Sequence, residues 1–271
     1  MIDLRDVKTD KVVEPRFYKR DARTTILIKD VKDIELLDSG RYELAIIDIG
    51  RNTAKLPPRL KYELLSGTCI IKDARTITVK NTARLISLGN KIVHAEDNAV
   101  VFAYNSSECD FSDTSVGYLD EESKGYFRNN SRAFLNNSSG VFKETSECFK
   151  AYKSVVTLKG SASGKNIFDS YVFCMDKSKI QSCSRSEVNV VGKMSDAVLN
   201  DDNVIYIGNT ADDWHPGRDT SVHITGERNR YLISPEVFPK LRIDNTNNII
   251  DTTISRSSIT NSIMNKKAGT C

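Results

Sequence analysis

The sequence predicts an all-β dominated fold: a single-chain β-solenoid of about seven or eight coils, built on an eight-residue repeat. Three observations carry this. From Ser107 a serine returns every eighth residue, at Ser115, Ser123, Ser131 and Ser139; after one dropped residue it resumes at Ser146, Ser154, Ser170, Ser178 and Ser186. The third octad place is small or apolar almost throughout, and the fifth is often apolar, as at Phe111, Leu119, Phe127, Leu135 and Leu158. Apolar places two apart have the strand period, with alternate side chains on opposite faces. Each octad therefore reads as a strand of about five residues and a polar corner, where Ser and Asn bond the backbone locally. One such strand cannot bury its inner face alone, whereas stacked copies can. Two octads, sixteen residues, make the expected coil.

Taken in order, residues 1–66 read as a small β-rich N-terminal module. Thr24–Val31 and Arg41–Gly50 are strand-like runs separated by the turn signal Asp38-Ser39-Gly40. Pro57-Pro58 then precedes Arg59–Leu65, a short helical pattern ended by Ser66-Gly67 and expected to cap the first coil. Residues 67–210 are the expected solenoid, with Cys69–Leu88 as its first, less regular coils. Residues 211–271 are expected to form a non-repetitive C-terminal cap and extended tail. There Asp212–Asp219 gathers the single tryptophan, Trp214, with His215 and three carboxylates; no metal-ligand spacing is matched, and a polar loop closing the core is the expectation.

Within the repeat, the third places Val141, Val156, Val172, Val188 and Val204 are expected to point into the core. The fourth places should then point outward, yet they read Tyr118, Tyr126, Phe134, Phe142 and Phe149 in consecutive octads. With two octads per coil, Tyr118 and Phe134 fall on one side and Tyr126 and Phe142 on the other, and such rings make an interface with a protein partner the expectation; the competing reading is a register off by one, which exchanges the two faces. Cys109, Cys148 and Cys174 hold apolar slots and are expected to be reduced, as small hydrophobic residues.

Composition narrows the function classes. The 271 residues carry 39 Lys plus Arg against 36 Asp plus Glu, a formal charge of +3, so neither a strongly basic nucleic-acid binder nor an acidic mimic is indicated. No apolar run approaches the roughly 20 residues of a membrane span, and the charged first 20 residues lack a signal-peptide core. No phosphate-cradling loop, dinucleotide fingerprint or Gly-x-Ser-x-Gly elbow occurs, and no cofactor or metal is implied. Acids such as Asp110, Asp113, Asp120, Glu121 and Glu122 keep a polysaccharide-cleaving solenoid as an alternative.

The octads Asn98-Ala-Val-Val-Phe-Ala-Tyr, Ser170-Tyr-Val-Phe-Cys-Met-Asp and Ser186-Glu-Val-Asn-Val-Val-Gly resemble the short β-solenoid repeats carried by bacteriophage and mobile-element proteins. The resemblance is one of architecture and implies no active-site residues. It implies a non-enzymatic structural or binding protein of the virion, such as a fibre, spike or decoration protein, located in virion or cytoplasm. The expected partners are protein, including further copies of the chain, with no nucleic acid and no membrane and with a host glycan as an alternative ligand. An intracellular interaction module or inhibitor is the competing class.

Overall fold

The computed structural model describes residues 25–191, 197–199, 203–207, 223–225, 230–233, 242–243 and 249–251. Parallel stacked coils form a β-solenoid of about ten turns. The chain divides into two units, Met1–Ala133 with Asn137–Ser139, and Phe134–Asn136 with Gly140–Cys271.

In the first unit two parallel sheets face each other across the core. One, named here for the outward residue Thr78, holds Thr25–Ile28, Thr76–Val79, Val93–Ala95, Glu108–Phe111 and Lys124–Phe127. The other, the Phe102 sheet, holds Arg84–Leu88, Val100–Tyr104 and Val116–Leu119. The long strands Leu44–Leu56 and Lys61–Lys72 contribute to both. Partners recur sixteen residues apart: Leu85 pairs with Val101 and Val101 with Gly117, while Val93 pairs with Cys109 and Cys109 with Gly125. The second unit repeats this design. Val156 pairs with Val172 and Val172 with Val188, and Cys148 pairs with Gly164.

Coils thus begin ahead of residue 67, and residues 59–65 are not the expected capping helix. Lys61–Lys72 is a strand, since Tyr62, Leu64, Cys69 and Ile71 alternate inward and bury their side chains against neighbouring coils. The early corner is filled instead by a 3-10 helix, Val31–Ser39. Asp30 caps it by accepting the Lys32 amide, Leu37 buries one side, and Gly40 ends it at φ 68°. Beyond residue 210 parallel pairing continues through His223–Thr225, Arg230–Ile233, Arg242–Ile243 and Ile249–Asp251. The Trp214–His215 loop lies outside the described residues.

The serines are the inner corners. Ser107, Ser115, Ser131 and Ser146 are buried, and each hydroxyl donates to the carbonyl three residues earlier, at 2.6–2.7 Å. This satisfies a buried hydroxyl and closes the turn with the same bond. The tightest point of each corner is a left-handed residue, often Asn or Asp, as at Asp97, Asp113 and Asn129 with φ 53–56°. Successive corners are tied along the stack: Asp97 Oδ2 accepts the Asn81 amide at 3.1 Å, and Asp113 Oδ2 the Asp97 amide at 3.3 Å.

Two core expectations need correction. Val141 is only half-buried, and Phe142 is fully buried in its stead. The shortened octad lies between Ser131 and Ser138, so Ser138 is the buried corner, and Gly140 and Phe142 take the inward places. At the other end Val204 pairs with Glu187, whereas Ile205 pairs with Val188 and is buried. One extra residue has entered that coil, so Ile205 is the residue in register with Val188. Val156, Val172 and Val188 are fully buried in the inward register.

Candidate interaction surface

The two outer faces of the first unit differ in chemistry. On the Thr78 sheet, several outward side chains are charged and paired across coils, beside Thr76, Thr78 and Tyr126. Lys80 Nζ lies 3.2 Å from Glu63 and 3.8 Å from Glu96; the hydrogen bond to Glu63 is the main cause holding its ammonium above the usual lysine range. Asp110 Oδ2 accepts from Arg128 at 2.6 Å, with His94 Nδ1 3.9 Å away.

The Phe102 sheet is the opposite. Its central outward column pairs Ile70 with Ile86, Ile86 with Phe102, and Phe102 with Tyr118. Val100 and Val116 flank it on one side, Leu88 and Tyr104 on the other, all half-buried by neighbours on the same face. The Phe102 and Tyr118 rings stack at 4.8 Å between centroids and 11° between planes. In-register parallel pairing causes this, because equivalent side chains repeat at the rung spacing of about 4.8 Å. Ring faces are therefore turned along the stack toward each other, and the ring edges make the outer surface.

The aromatic fourth places fall on both sheets. Tyr118, 37% exposed, stands on the Phe102 sheet, while Tyr126, 52% exposed, stands on the Thr78 sheet beside Asp110. Alternate octads belong to opposite sheets, so consecutive fourth places cannot share a surface. In the second unit Phe134 and Phe149 point outward and half-buried, with centroids 5.1 Å apart and planes tilted by 45°. Lys165 Nζ lies 4.9 Å from the Phe149 ring centroid. Phe142 is no surface ring at all, for the reason given above. What the octad reading missed is the upstream column, Ile70, Ile86 and Phe102. Its signal was present: counting back from Tyr118 in sixteens reaches all three.

Several of the acids weighed for catalysis are engaged in the corners of the coil. Asp113 Oδ1 accepts from Asn129 Nδ2 at 3.3 Å in addition to the Asp97 amide on its Oδ2, and Glu121 Oε2 accepts the Asn105 amide at 3.2 Å. No group of three or more His, Cys, Asp or Glu among the described residues is arranged to hold a metal ion. Nor is any described helix long and apolar enough to cross a membrane. Five cysteines are buried free thiols: Cys69, Cys109, Cys148, Cys174 and Cys183. Burial pushes Cys69, Cys109 and Cys183 up to about 12, and Cys148 and Cys174 higher in the same direction.

No family model matches this chain, and neither does any curated protein or solved structure.

Proposed function

We propose that this β-solenoid is a non-enzymatic structural and binding protein that acts through its outer sheet surface, packed against protein in an assembly such as a phage fibre, spike or decoration layer. The observation that carries the reading is the apolar column from Ile70 to Tyr118 on one face, set against ion-paired residues on the other. A contiguous apolar surface of this kind marks a contact with protein rather than with water. A sugar would need an open ring face to stack on, and Phe102 and Tyr118 turn theirs toward each other. Asp113 and Glu121 accept corner amides, and Asp110 accepts from an arginine. The eight-residue beat, similar to phage-borne repeats, supplies the assignment to a virion. Density-gradient purification of particles from cells carrying the gene tests it. The chain should travel with the particles at a fixed copy number; recovery only in the soluble fraction would contradict the virion role.

A further inference from the structure

We infer that the outer edge of residues 53–56 is a built stop: it keeps a strand of another copy from extending the Phe102 sheet, so copies do not join through this end of the first unit. The inference goes beyond the assembly role and holds whether or not the chain is a virion part. A parallel sheet with rungs about 4.8 Å apart is a template for further strands wherever an edge is open. Between successive strands of the Thr78 sheet, the chain of the first unit supplies one strand of the Phe102 sheet each time. These are residues 53–56, residues 68–72, Arg84–Leu88, Val100–Tyr104 and Val116–Leu119. Between Thr25–Ile28 and Leu44 the 3-10 helix Val31–Ser39 takes that place. Residues 53–56 are therefore the first strand of the Phe102 sheet among the described residues, paired on their other side with residues 68–71.

Several features refuse a strand there. A 3-10 helix closes its hydrogen bonds on itself and offers no row of backbone groups sideways. This one packs on Leu44–Leu56, with Leu37 buried as its anchor. The strand itself is cut short at both ends. Upstream, the ladder jumps from the Asp48–Ser66 pair to the Thr53–Thr68 pair, so residues 49–52 bulge out. Side chains pin that bulge. Gly50, at φ 65°, donates its amide to Ser66 Oγ at 2.7 Å, Ser66 Oγ donates to Asp48 Oδ1 at 2.7 Å, and Asn52 Nδ2 donates to the Ile49 carbonyl at 3.0 Å. Such bulges blunt an edge. Downstream, Pro57 and Pro58 have no N–H to give to an added strand. Between these limits Lys55 is outward and exposed, while Ala54 and Leu56 are buried in the core. Two such edges meeting antiparallel about a two-fold axis have two registers that keep inward residues inward. One sets Lys55 against Lys55, like charges directly opposite. The other centres on Ala54 and requires Asn52, held in the bulge, to pair with Leu56.

Cross-linking between copies tests the stop, on the full chain with Thr53→Cys as the reporter and Cys271→Ser; the five described cysteines are buried. Edges paired in the two registers set the reporters about 8 Å or about 14 Å apart, both spanned by a hexane-linked bismaleimide. Tyr118→Cys, in place of Thr53→Cys, is the control: edge pairing leaves those positions about 43 Å apart, so its cross-links report side contacts alone. The edge is opened by Lys55→Thr with Pro57→Thr and Pro58→Thr, by Leu37→Ser, and by all four together, with circular dichroism confirming each fold. The threonines add little apolar surface and keep the carbonyl of residue 57, which accepts from Tyr62 at 2.6 Å. All four together should raise the Thr53→Cys dimer at least about tenfold, with the Tyr118→Cys dimer unchanged. The three surface exchanges, which leave Leu37 in place, should give part of that rise. A closed edge that cross-links at Thr53→Cys as fully as the opened ones would overturn the stop. Folded variants with no rise would overturn it too, as would an equal rise at Tyr118→Cys. None of these results touches particle co-purification, which decides the virion role separately.

Discussion

The backbone N–H of Ser154 donates to the hydroxyl of Ser170, 3.1 Å away and one coil further along the stack. Ser170 repeats the act with Ser186, also at 3.1 Å, while its own hydroxyl donates to the Phe168 carbonyl at 2.6 Å. A buried hydroxyl thus closes its own corner and anchors the corner of the preceding coil. The eight-residue beat in the sequence is the trace of this ladder.

Ser170→Ala should leave the buried Ser154 amide without its acceptor. A buried unpaired amide costs about 1–3 kcal/mol, and urea unfolding should show a loss of that size with an unchanged slope. A loss near zero would mean that another acceptor replaces Ser170.

Gly125→Ala should overpack the core. A Cβ there would overlap the Phe127 ring and come within 2.8 Å of Leu119 Cδ2, and Phe127 is held in turn by stacking on Phe111 at 4.5 Å and 7°. The expected cost is about 1–3 kcal/mol. Adding Phe127→Leu frees the volume, so a double-mutant cycle should show favourable coupling. Additive losses would count against the packing described.

Val172→Asp should cost on the order of 3–5 kcal/mol, because it places a carboxylate between Val156 and Val188 with no partner. Thr157→Asp, one place out of phase on the adjoining strand, should cost less than about 1 kcal/mol. Thermal melts of the two variants read the register, and equal shifts would contradict it.

The buried thiols predict an alkaline loss of stability. Their folded pKa values lie above those of the unfolded chain, which sheds thiol protons from about pH 8.5 while the native chain keeps them. Stability is therefore full below that pH and falls as pH rises toward 12, by up to about 1.4 kcal/mol per unit for each thiol. Cys148→Ala should flatten the slope of unfolding free energy against pH by up to that amount between about pH 9 and 11. An unchanged slope would place Cys148 within reach of solvent.

Much of the fold was legible because two regularities coincide in the sequence: the corner serine and the inward third and fifth places. Where both persist, as around Val156, Val172 and Val188, inward residues could be named one by one. Where the octad length changes, they separate. At Ser138-Ser139 two serines compete for one corner, and only packing chooses Ser138, because Gly140 beside Phe142 fits the core as Val141 does not. Near residue 204 an added residue shifts the register by one without any change of composition, since Val204 and Ile205 are equally apolar. The strand at Lys61–Lys72 was hidden for a different reason. Arg59–Leu65 has apolar residues at helical spacing, and pairing of residues 61–64 with Leu44–Leu56 and Thr76–Val79 overrides that local preference. The surface column was legible only at the period of the coil, not of the octad.

Everything above depends on the sixteen-residue coil, which alone brings Ile70, Ile86, Phe102 and Tyr118 into one column. Residues 63, 78, 94, 110 and 126 form the corresponding outward column of the opposite sheet. Spin labels on Glu63→Cys and Tyr126→Cys, in a chain whose Cys271 is replaced by Ser, measure four coils directly by double electron–electron resonance. The account predicts a single narrow distribution centred near 19 Å, four steps of about 4.8 Å, widened only by the label arms. A broad distribution, or a centre beyond about 30 Å, would contradict the stacked two-octad coil and the surface built on it.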